Sequence, residues 1–262
     1  MAQTLTATPD PTYSPPRIRL DFTDTAATPV TSVTINRQNA SGRVYPVRTS
    51  DGGPLPTSGG AATVFDYEAP PEQLLTYSTT ITGGPTATAT LLPVPAVRLI
   101  HPGIPSRSMS IQLRRATNAQ EDWDIQQGSF AVLGRSTPIV ATGGARIAAA
   151  SSLIVAISSD DERLALKQLL SDGAPLLLSV APSLGFGLES AYIAIGKVSS
   201  ARPVDLGTVQ ERDIVLPYQT VARPAGGTRG GLTWDKVAAT YPTWADLAAT
   251  GMTWAQLAAQ SA

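Results

Sequence analysis

The stretch Ser159–Pro182, SDDERLALKQLLSDGAPLLLSVAP, holds the most strongly predicted long helix of the chain and leads directly into a strand. Ser159 followed by Glu162 has the spacing of a capping box, in which the serine hydroxyl accepts a backbone N–H bond and the glutamate reaches back. Gly173 is a natural left-handed stop after the helix. One face of the helix is apolar, and we expect it to be buried. That face carries Leu166, Leu169 and Leu170.

Apolar runs on both sides of this helix predict strands. Residues 174–180 form a run long enough for one strand, and residues 147–158 form another upstream. The remaining strands predicted for this half are 109–113, 130–133, 138–142, 192–200 and 210–220. One helix against about seven strands favours a small barrel that the helix plugs or covers.

Residues 1–94 have the alternation of a small antiparallel β-domain. Every second residue is apolar in the run 17–22, and Leu75, Tyr77, Thr79 and Ile81 share one face of the run 74–82, which predicts strands with one buried face. A short run at 44–47 contains Pro46, which cannot donate to a ladder, so we expect it at a sheet edge. Turn clusters separate these runs. The pattern predicts a β-sandwich of about seven strands.

Composition and charge exclude several classes of protein. The chain has 262 residues, with 19 Lys and Arg against 20 Asp and Glu, so no net field favours nucleic acid or an acidic substrate. It has no cysteine, which excludes disulfides and thiolate metal sites. The first residues lack the basic and apolar segments of a signal peptide, and no apolar run approaches the roughly 20 residues of a membrane span. We therefore expect a soluble chain made in a cytosol.

Motifs of enzymes and cofactor sites are missing from the sequence. There is no G-x-S-x-G, no H-E-x-x-H and no P-loop. The single histidine, His101, lies in a proline-rich stretch without partner residues beside it, so we expect a structural role. The acids at 160–162 lack the spacing of a calcium loop, and a helix cap explains them. We therefore predict no catalytic residue, no metal, no cofactor and no enzymatic activity.

Proline and glycine clusters set the predicted domain boundaries. Residues 92–106 contain four prolines and look like an inter-domain connector. Residues 224–231, PAGGTRGG, look like a flexible linker. The predicted units are 1–94, 95–224, and a linker with a tail at 225–262.

The tail contains three units with a ten-residue period, TWDKVAATYP, TWADLAATGM and TWAQLAAQSA. Each begins with a threonine suited to an N-cap, followed by Trp and, three residues later, Val or Leu on the same helical face. Helices this short are unstable alone in water, and three exposed tryptophans offer a large apolar area. We therefore expect the tail to dock on another molecule, the alternative being that it folds back on its own domain. The predicted docking residues are Trp234, Val237, Trp244, Leu247, Trp254 and Leu257.

The segment VFDYEAPPEQLLTYSTTIT, residues 64–82, resembles the late strands of a fibronectin type III domain, where a tyrosine follows a Leu/Pro-containing corner. Tyr77 would be that tyrosine. The early-strand tryptophan of that family is missing, and Leu20 or Phe22 lies in its region. The resemblance implies a spacer or adhesive module without chemistry of its own.

Three further motifs lie in the second half: the helix–strand unit Glu162–Leu178, the tyrosine-containing strand Tyr192–Pro203, and the closing strand Arg212–Pro224. This pattern resembles the distal-tail and minor-tail proteins of actinobacterial phages, some of which carry similar TWxxL tails. Their closing strand usually has a tryptophan near Asp213-Ile214, which is absent here. The resemblance implies a split barrel that associates side by side into a ring at the end of the tail tube.

The expected fold class is mainly β: a fibronectin III-like sandwich, a split β-barrel with one α-helix, and a tail of short helical TWxxL units. The expected function is that of a structural virion protein of a long-tailed phage, assembled in the host cytoplasm. It would form a ring at the tail tip that joins the tail tube to the hub or baseplate. The ring is expected to be a hexamer, with a trimer as the alternative, and to make no membrane contact and no specific nucleic-acid contact.

Two other functions compete with this one. The chain could be a virion-surface adhesin that binds a host glycan or receptor through its N-terminal β-sandwich. It could also be a cytosolic scaffold of non-viral origin. An adhesin needs exposed aromatic side chains at its surface, whereas the loops of residues 1–94 read mostly as Gly, Pro, Ser and Thr.

Overall fold

The computed structural model describes residues 3–92, 96–114, 121–130, 139–184, 188–201, 210–227 and 243–249. The described part of the chain is mainly β. Its N-terminal strands are β1 (Gln3–Asp10), β2 (Arg17–Asp24), β3 (Ser32–Val33), β4 (Ile35–Gln38), β5 (Val44–Pro46), β6 (Leu55–Pro56), β7 (Ala61–Asp66), β8 (Leu74–Thr79) and β9 (Thr86–Thr90). The later strands are β10 (Val97–Ile100), β11 (Met109–Leu113), β12 (Glu121–Phe130), β13 (Ile139–Ile157), β14 (Leu176–Ser179), β15 (Ala191–Ile195), β16 (Ser199–Ala201) and β17 (Arg212–Thr220).

The residues that the structure describes contain few helices. They are the α-helices α1 (Asp160–Leu169) and α2 (Trp244–Ala249) and short 3-10 helices at Pro105–Arg107 and Pro182–Leu184. In the ranges that the structure covers, no helix has the length and apolarity that a membrane crossing requires.

Two antiparallel sheets with a shared core form the N-terminal domain. One sheet has the order β1-β2-β7 and the other β5-β4-β8-β9, while β3 and β6 pair separately. The predicted alternation is confirmed, because Ile18, Leu20 and Leu75 are all fully buried. Strand β5 lies at the edge of its sheet, as its proline predicts. Strand β1 is not predicted from the sequence. Leu5 and the small Ala7 are its only residues in the hydrophobic core, so the strand has no clear apolar alternation.

A buried ion pair lies inside this core. Arg37 donates from one guanidinium nitrogen to both carboxylate oxygens of Asp66, each at 2.9 Å. The hydroxyl of Tyr77 donates to the same carboxylate at 2.9 Å, and the Glu68 backbone N–H donates at 3.0 Å. Burial, reinforced by the Asp66 charge, raises the pKa of Tyr77. The charges therefore sit in a fully hydrogen-bonded network, as buried charges require.

The second domain is a closed six-stranded barrel. Its strands follow the order β13-β11-β10-β14-β15-β17, and β17 pairs back with β13 to close the ring of strands. Strands β12 and β16 lie outside this closed set, on β13 and β17 respectively. Leu166 and Leu169 of α1 are buried in the same core as the inward strand residues. The helix thus covers the barrel core with the face that its sequence predicts.

The ends of α1 follow the predicted signals, with one difference. The Ser159 hydroxyl accepts from the Glu162 backbone N–H at 3.2 Å, as expected for an N-cap. The Glu162 carboxylate, however, accepts chiefly from the backbone N–H and the hydroxyl of Ser158, both at 2.8 Å, and the Ser159 backbone N–H contributes less. These bonds lower the pKa of Glu162, the Ser158 backbone bond most of all. Gly173 has φ +65°, the left-handed stop that the sequence predicts.

Three strand predictions in the barrel half are wrong in their boundaries. The separate strands predicted at 138–142 and 147–158 are one 19-residue strand, β13. Its pairing with β12 shifts register between Ile125 and Gln127, where the partner strand passes through Gly143-Gly144. In the sequence these two glycines suggest the end of a strand, whereas in the structure they lie at a β-bulge within one continuous strand. The strand predicted at 192–200 is conversely divided into β15 and β16.

Substitutions in the buried network give a direct test of its role. Tyr77→Phe removes one donor to Asp66 and should lower the free energy of unfolding of the N-terminal domain by about 1–2 kcal/mol. Asp66→Asn leaves the Arg37 guanidinium buried without its counter-charge and should cost about 3–5 kcal/mol. Urea denaturation measures both. The control is Arg19→Ala, because Arg19 pairs with Asp21 at the surface with 54% of its side chain exposed, and should cost about 0–1 kcal/mol.

Candidate interaction surfaces

The predicted docking residues lie mostly beyond the described part of the chain. Trp234, Val237, Trp254 and Leu257 are outside the described residues. Trp244 and Leu247 lie in α2, the middle TWxxL unit. The Thr243 hydroxyl accepts from the Asp246 backbone N–H at 3.2 Å, and the Asp246 carboxylate accepts from the Thr243 backbone N–H at 3.0 Å. The described part of this unit is therefore a short capped helix, and the other two units lie outside the described residues.

A two-stranded ribbon extends from the barrel. We call β12 with residues 139–149 of β13 the arm. Residues 150–157 of β13 pair with β17, whereas residues 139–149 pair only with β12 among the described residues. Strand β12 pairs with no other described strand. Both long edges of the arm therefore present backbone N–H and C=O groups without a partner strand in the described chain.

A buried carboxylate joins the two domains. Glu68 of the N-terminal domain is only 4% exposed. One of its oxygens accepts from Arg48 at 2.9 Å, and the other accepts from Arg223, which follows the barrel, at 3.0 Å. The Tyr192 hydroxyl of β15 also lies against Arg223. Burial, and then the charge of Glu68, raises the pKa of Tyr192. The cluster combines residues from sequence positions more than 150 apart, so no local motif predicts it.

His101 has partners that the sequence did not indicate. The ring is buried, and its Nε2 lies 2.8 Å from the Asp172 carboxylate. Its Nδ1 accepts from the backbone N–H groups of Gly103 and Ile104, at 3.1 and 2.9 Å. Because Nδ1 accepts, the proton of the neutral ring lies on Nε2 and is donated to Asp172. Nε2 thus holds the segment after β10 against the turn after α1, and Nδ1 fixes the bend of that segment itself.

Asp172 is the exposed member of this pair. Burial raises its pKa, but hydrogen bonds from the Ala174 backbone N–H and from His101 outweigh that effect, so its pKa lies below the ordinary value. The pair borders a cleft of about 600 Å³ between the barrel and the segment 224–227. Among the described residues, no three His, Asp or Glu side chains are grouped in a way that could hold a metal ion.

An aromatic cluster covers one end of the outer face of the β1-β2-β7 sheet. The Arg17 guanidinium lies between two rings, 3.6 Å from the centroid of Tyr13 and 3.9 Å from that of Phe65. It donates to the Tyr67 hydroxyl at 2.9 Å and to Asp10 at 3.0 Å. Tyr13 is 40% exposed. No sequence pattern indicates this surface, because Tyr13 lies between two strands and Tyr67 just beyond one, so neither belongs to an alternating run.

Neither a protein-family model nor a curated protein matches this chain.

Proposed function

We propose that the chain is a structural virion protein of a long-tailed phage, located at the tail tip, where copies form a ring that joins the tail tube to the hub. The observation that carries the proposal is the arm, a ribbon of two strands with both edges unpaired among the described residues. The closed barrel with a single covering helix and the tryptophan-containing tail also support it.

An isolated two-stranded ribbon is at best marginally stable in water, because each strand satisfies only half of its backbone groups within the pair. Long unpaired edges also invite pairing with another chain, which natural proteins normally prevent. A partner strand on each edge removes both problems, in the manner of β-augmentation. If each copy contributes the same arm, one edge meets the opposite edge of its neighbour. Such a head-to-tail contact generates a closed ring when the rotation closes.

In this proposal the barrel and arm face the tail channel and the N-terminal domain projects outward. We propose that this domain is a fibronectin III-like sandwich, a view that its three- and four-stranded sheets and the buried Tyr77 support. The ring is a hexamer, with a trimer as the alternative. The TWxxL tail clasps a neighbouring subunit or the next protein of the tip, and the protein acts without catalysis, metal or cofactor.

Light scattering coupled to size-exclusion chromatography tests the ring. The full chain should elute with about six times its 27.2 kDa mass, or three times for a trimer. Excision of 121–149 should give a monomer because it removes the edges that pair. The ends can be rejoined by a short glycine–serine linker, since Glu121 lies opposite Ser151 in the ladder.

The excised variant must still fold for this comparison to be informative. Its barrel core should be retained, because the buried residues of that core, such as Leu153 and Val155, lie outside the excision. Cooperative thermal unfolding monitored by circular dichroism checks this. A full chain that stays monomeric at high concentration would refute the ring. An excised chain with the wild-type mass would assign the contact to another surface.

The tail has its own test, for which the cut should follow Gly227 so that the packed residues before it remain. Truncation of 228–262 should change the free energy of unfolding of the monomeric chain by no more than about 0.5 kcal/mol, as expected for a segment whose partner is another molecule. Urea denaturation at a concentration without assembly measures this. A loss of about 2 kcal/mol or more would mean that the tryptophans pack on their own domain.

The aromatic cluster favours a second candidate function, an adhesin that binds a host glycan through the N-terminal domain. The rings of Tyr13 and Tyr67 offer apolar faces to a sugar ring, and hydroxyl and carboxylate groups beside them can bond to its hydroxyls. The Arg17–Asp10 pair leaves the cluster without net charge, which suits a neutral saccharide.

Binding of the full chain to an array of bacterial cell-wall polysaccharides tests the adhesin. Tyr13→Ala should weaken any specific binding about tenfold or more, as expected when a stacking residue is removed from a recognition surface. Leu74→Ala is the control, because Leu74 is similarly exposed on the outer face of the other sheet. Equal binding by both variants, or no binding by the wild-type chain, would eliminate this candidate.

A further inference from the structure

Residues 221–227 run from the end of β17 to the N-terminal domain, and we call this segment the strap. We propose that the strap fixes the orientation of the N-terminal domain relative to the barrel, and that its release lets the two domains reorient. The sequence predicts a flexible linker from residue 224 onward. The first four residues of that linker are instead packed against the turn at 48–53.

Buried charge is the first element of this attachment. Arg223 of the strap and Arg48 of the N-terminal domain occupy the two oxygens of Glu68. Arg48 also donates to the backbone carbonyls of Pro224, at 2.9 Å, and Gly226. A carboxylate that is 4% exposed needs such partners, because a buried charge without compensation is strongly destabilising. Lifting the strap would remove Arg223 from Glu68 and both carbonyls from Arg48 at once.

A close backbone contact between glycines is the second element of this attachment. A Cβ placed on Gly227 would lie 2.1 Å from the Ser50 carbonyl oxygen and 2.6 Å from the Gly52 nitrogen. A Cβ on Gly52 would in turn lie 2.9 Å from the Gly227 nitrogen. Two backbone turns therefore approach more closely than any side chain permits. The glycines of PAGG provide this contact, whereas in the sequence they suggest only flexibility.

The strap is attached to the barrel as well. The Val221 backbone N–H donates to the Tyr192 carbonyl at 2.8 Å, which continues the pairing of β15 with β17. The other described side-chain bonds across the junction join Ser183 to Glu72 and are exposed to solvent. Exposed hydrogen bonds contribute little net stability, whereas the Glu68 cluster is buried. The strap is thus the principal attachment between the domains in the described part of the chain.

This arrangement couples the tail to the domains. The tail continues directly from Gly227, so a partner that draws on the tail acts first on the contact between Gly227 and Ser50. If strap release and tail engagement affect each other, the coupling is reciprocal: opening the domains changes how the tail binds by the same factor. The inference does not require a phage ring and would hold for any partner of the tail.

Gly227→Ala tests the strap. The chain has no cysteine, so spin labels can be placed on two introduced cysteines alone, at Thr88 of the N-terminal domain and Gln168 of α1. Pulsed electron–electron double resonance measures the distance between the two labels. Dilution with unlabelled chain suppresses distances between labels on different copies. The wild-type chain should give one narrow distance distribution, and Gly227→Ala a broad or shifted one. Backbone amides of 48–53 should exchange hydrogen on the order of tenfold faster in the variant.

Gly53→Ala is the matched control. Gly53 lies in the same turn, but a Cβ there meets nothing within 4 Å, so this variant should behave as wild type in both measurements. Arg223→Gln is a second variant that leaves the glycine contact intact while removing one partner of Glu68. It should broaden the distribution in the same direction, with amide protection in both domain cores retained. A narrow, unshifted distribution and wild-type exchange in both Gly227→Ala and Arg223→Gln would overturn the proposal.

Discussion

The antiparallel ladder between β13 and β17 is the constraint on which the barrel depends. Residues 150–157 of β13 face residues 212–219 of β17 in continuous register, and this pairing alone turns an open sheet into a closed one. Because β13 has 19 residues and the barrel uses only its second half, the first half must continue beyond the barrel. The arm is therefore the part of β13 that the barrel does not use, together with its partner β12. Within the described residues, neither edge of the arm has a partner strand.

The N-terminal domain and the strap depend on a different constraint, the placement of buried charge. Asp66 is held inside the domain by Arg37 and Tyr77, and two residues later Glu68 is held at the junction by Arg48 and Arg223. One short segment thus carries two buried carboxylates with separate roles. The first carboxylate is compensated within its own domain. The second requires an arginine from beyond the barrel, so the domain surface is fully satisfied only when the strap is in place.

These features connect the fold to the proposed assembly. In the proposed ring, the arm is the edge that pairs with neighbouring copies and the strap holds the outward domain, while the tail begins after Gly227, where the two domains meet. A ring subunit needs a rigid body, a lateral contact and an attachment to the next protein. The barrel with the strap, the arm and the tail are the candidates for these three tasks. The His101–Asp172 pair contributes to the first by holding the connector to the turn after α1.

Local sequence determined the elements whose signals lie within a few residues of one another. The helix from Ser159, its stop at Gly173, the alternating strands of the N-terminal domain and the capped turn at Thr243 all follow from short-range hydrogen bonding and periodic burial. Such a pattern also predicts the six docking residues, of which Trp244 and Leu247 lie in the described part of the chain.

Tertiary structure decided the rest. Pairing partners far apart in sequence merged two predicted strands into β13, because a ladder with β12 tolerates a bulge where the sequence has Gly143-Gly144. The roles of Glu68, His101 and Gly227 are likewise set by residues far from them in sequence. The effect of a buried charge, a ring nitrogen or a missing Cβ depends on the groups that contact it in the folded chain. Short-range periodicity in the sequence does not predict such contacts, because they form only when distant segments pack together in the folded chain.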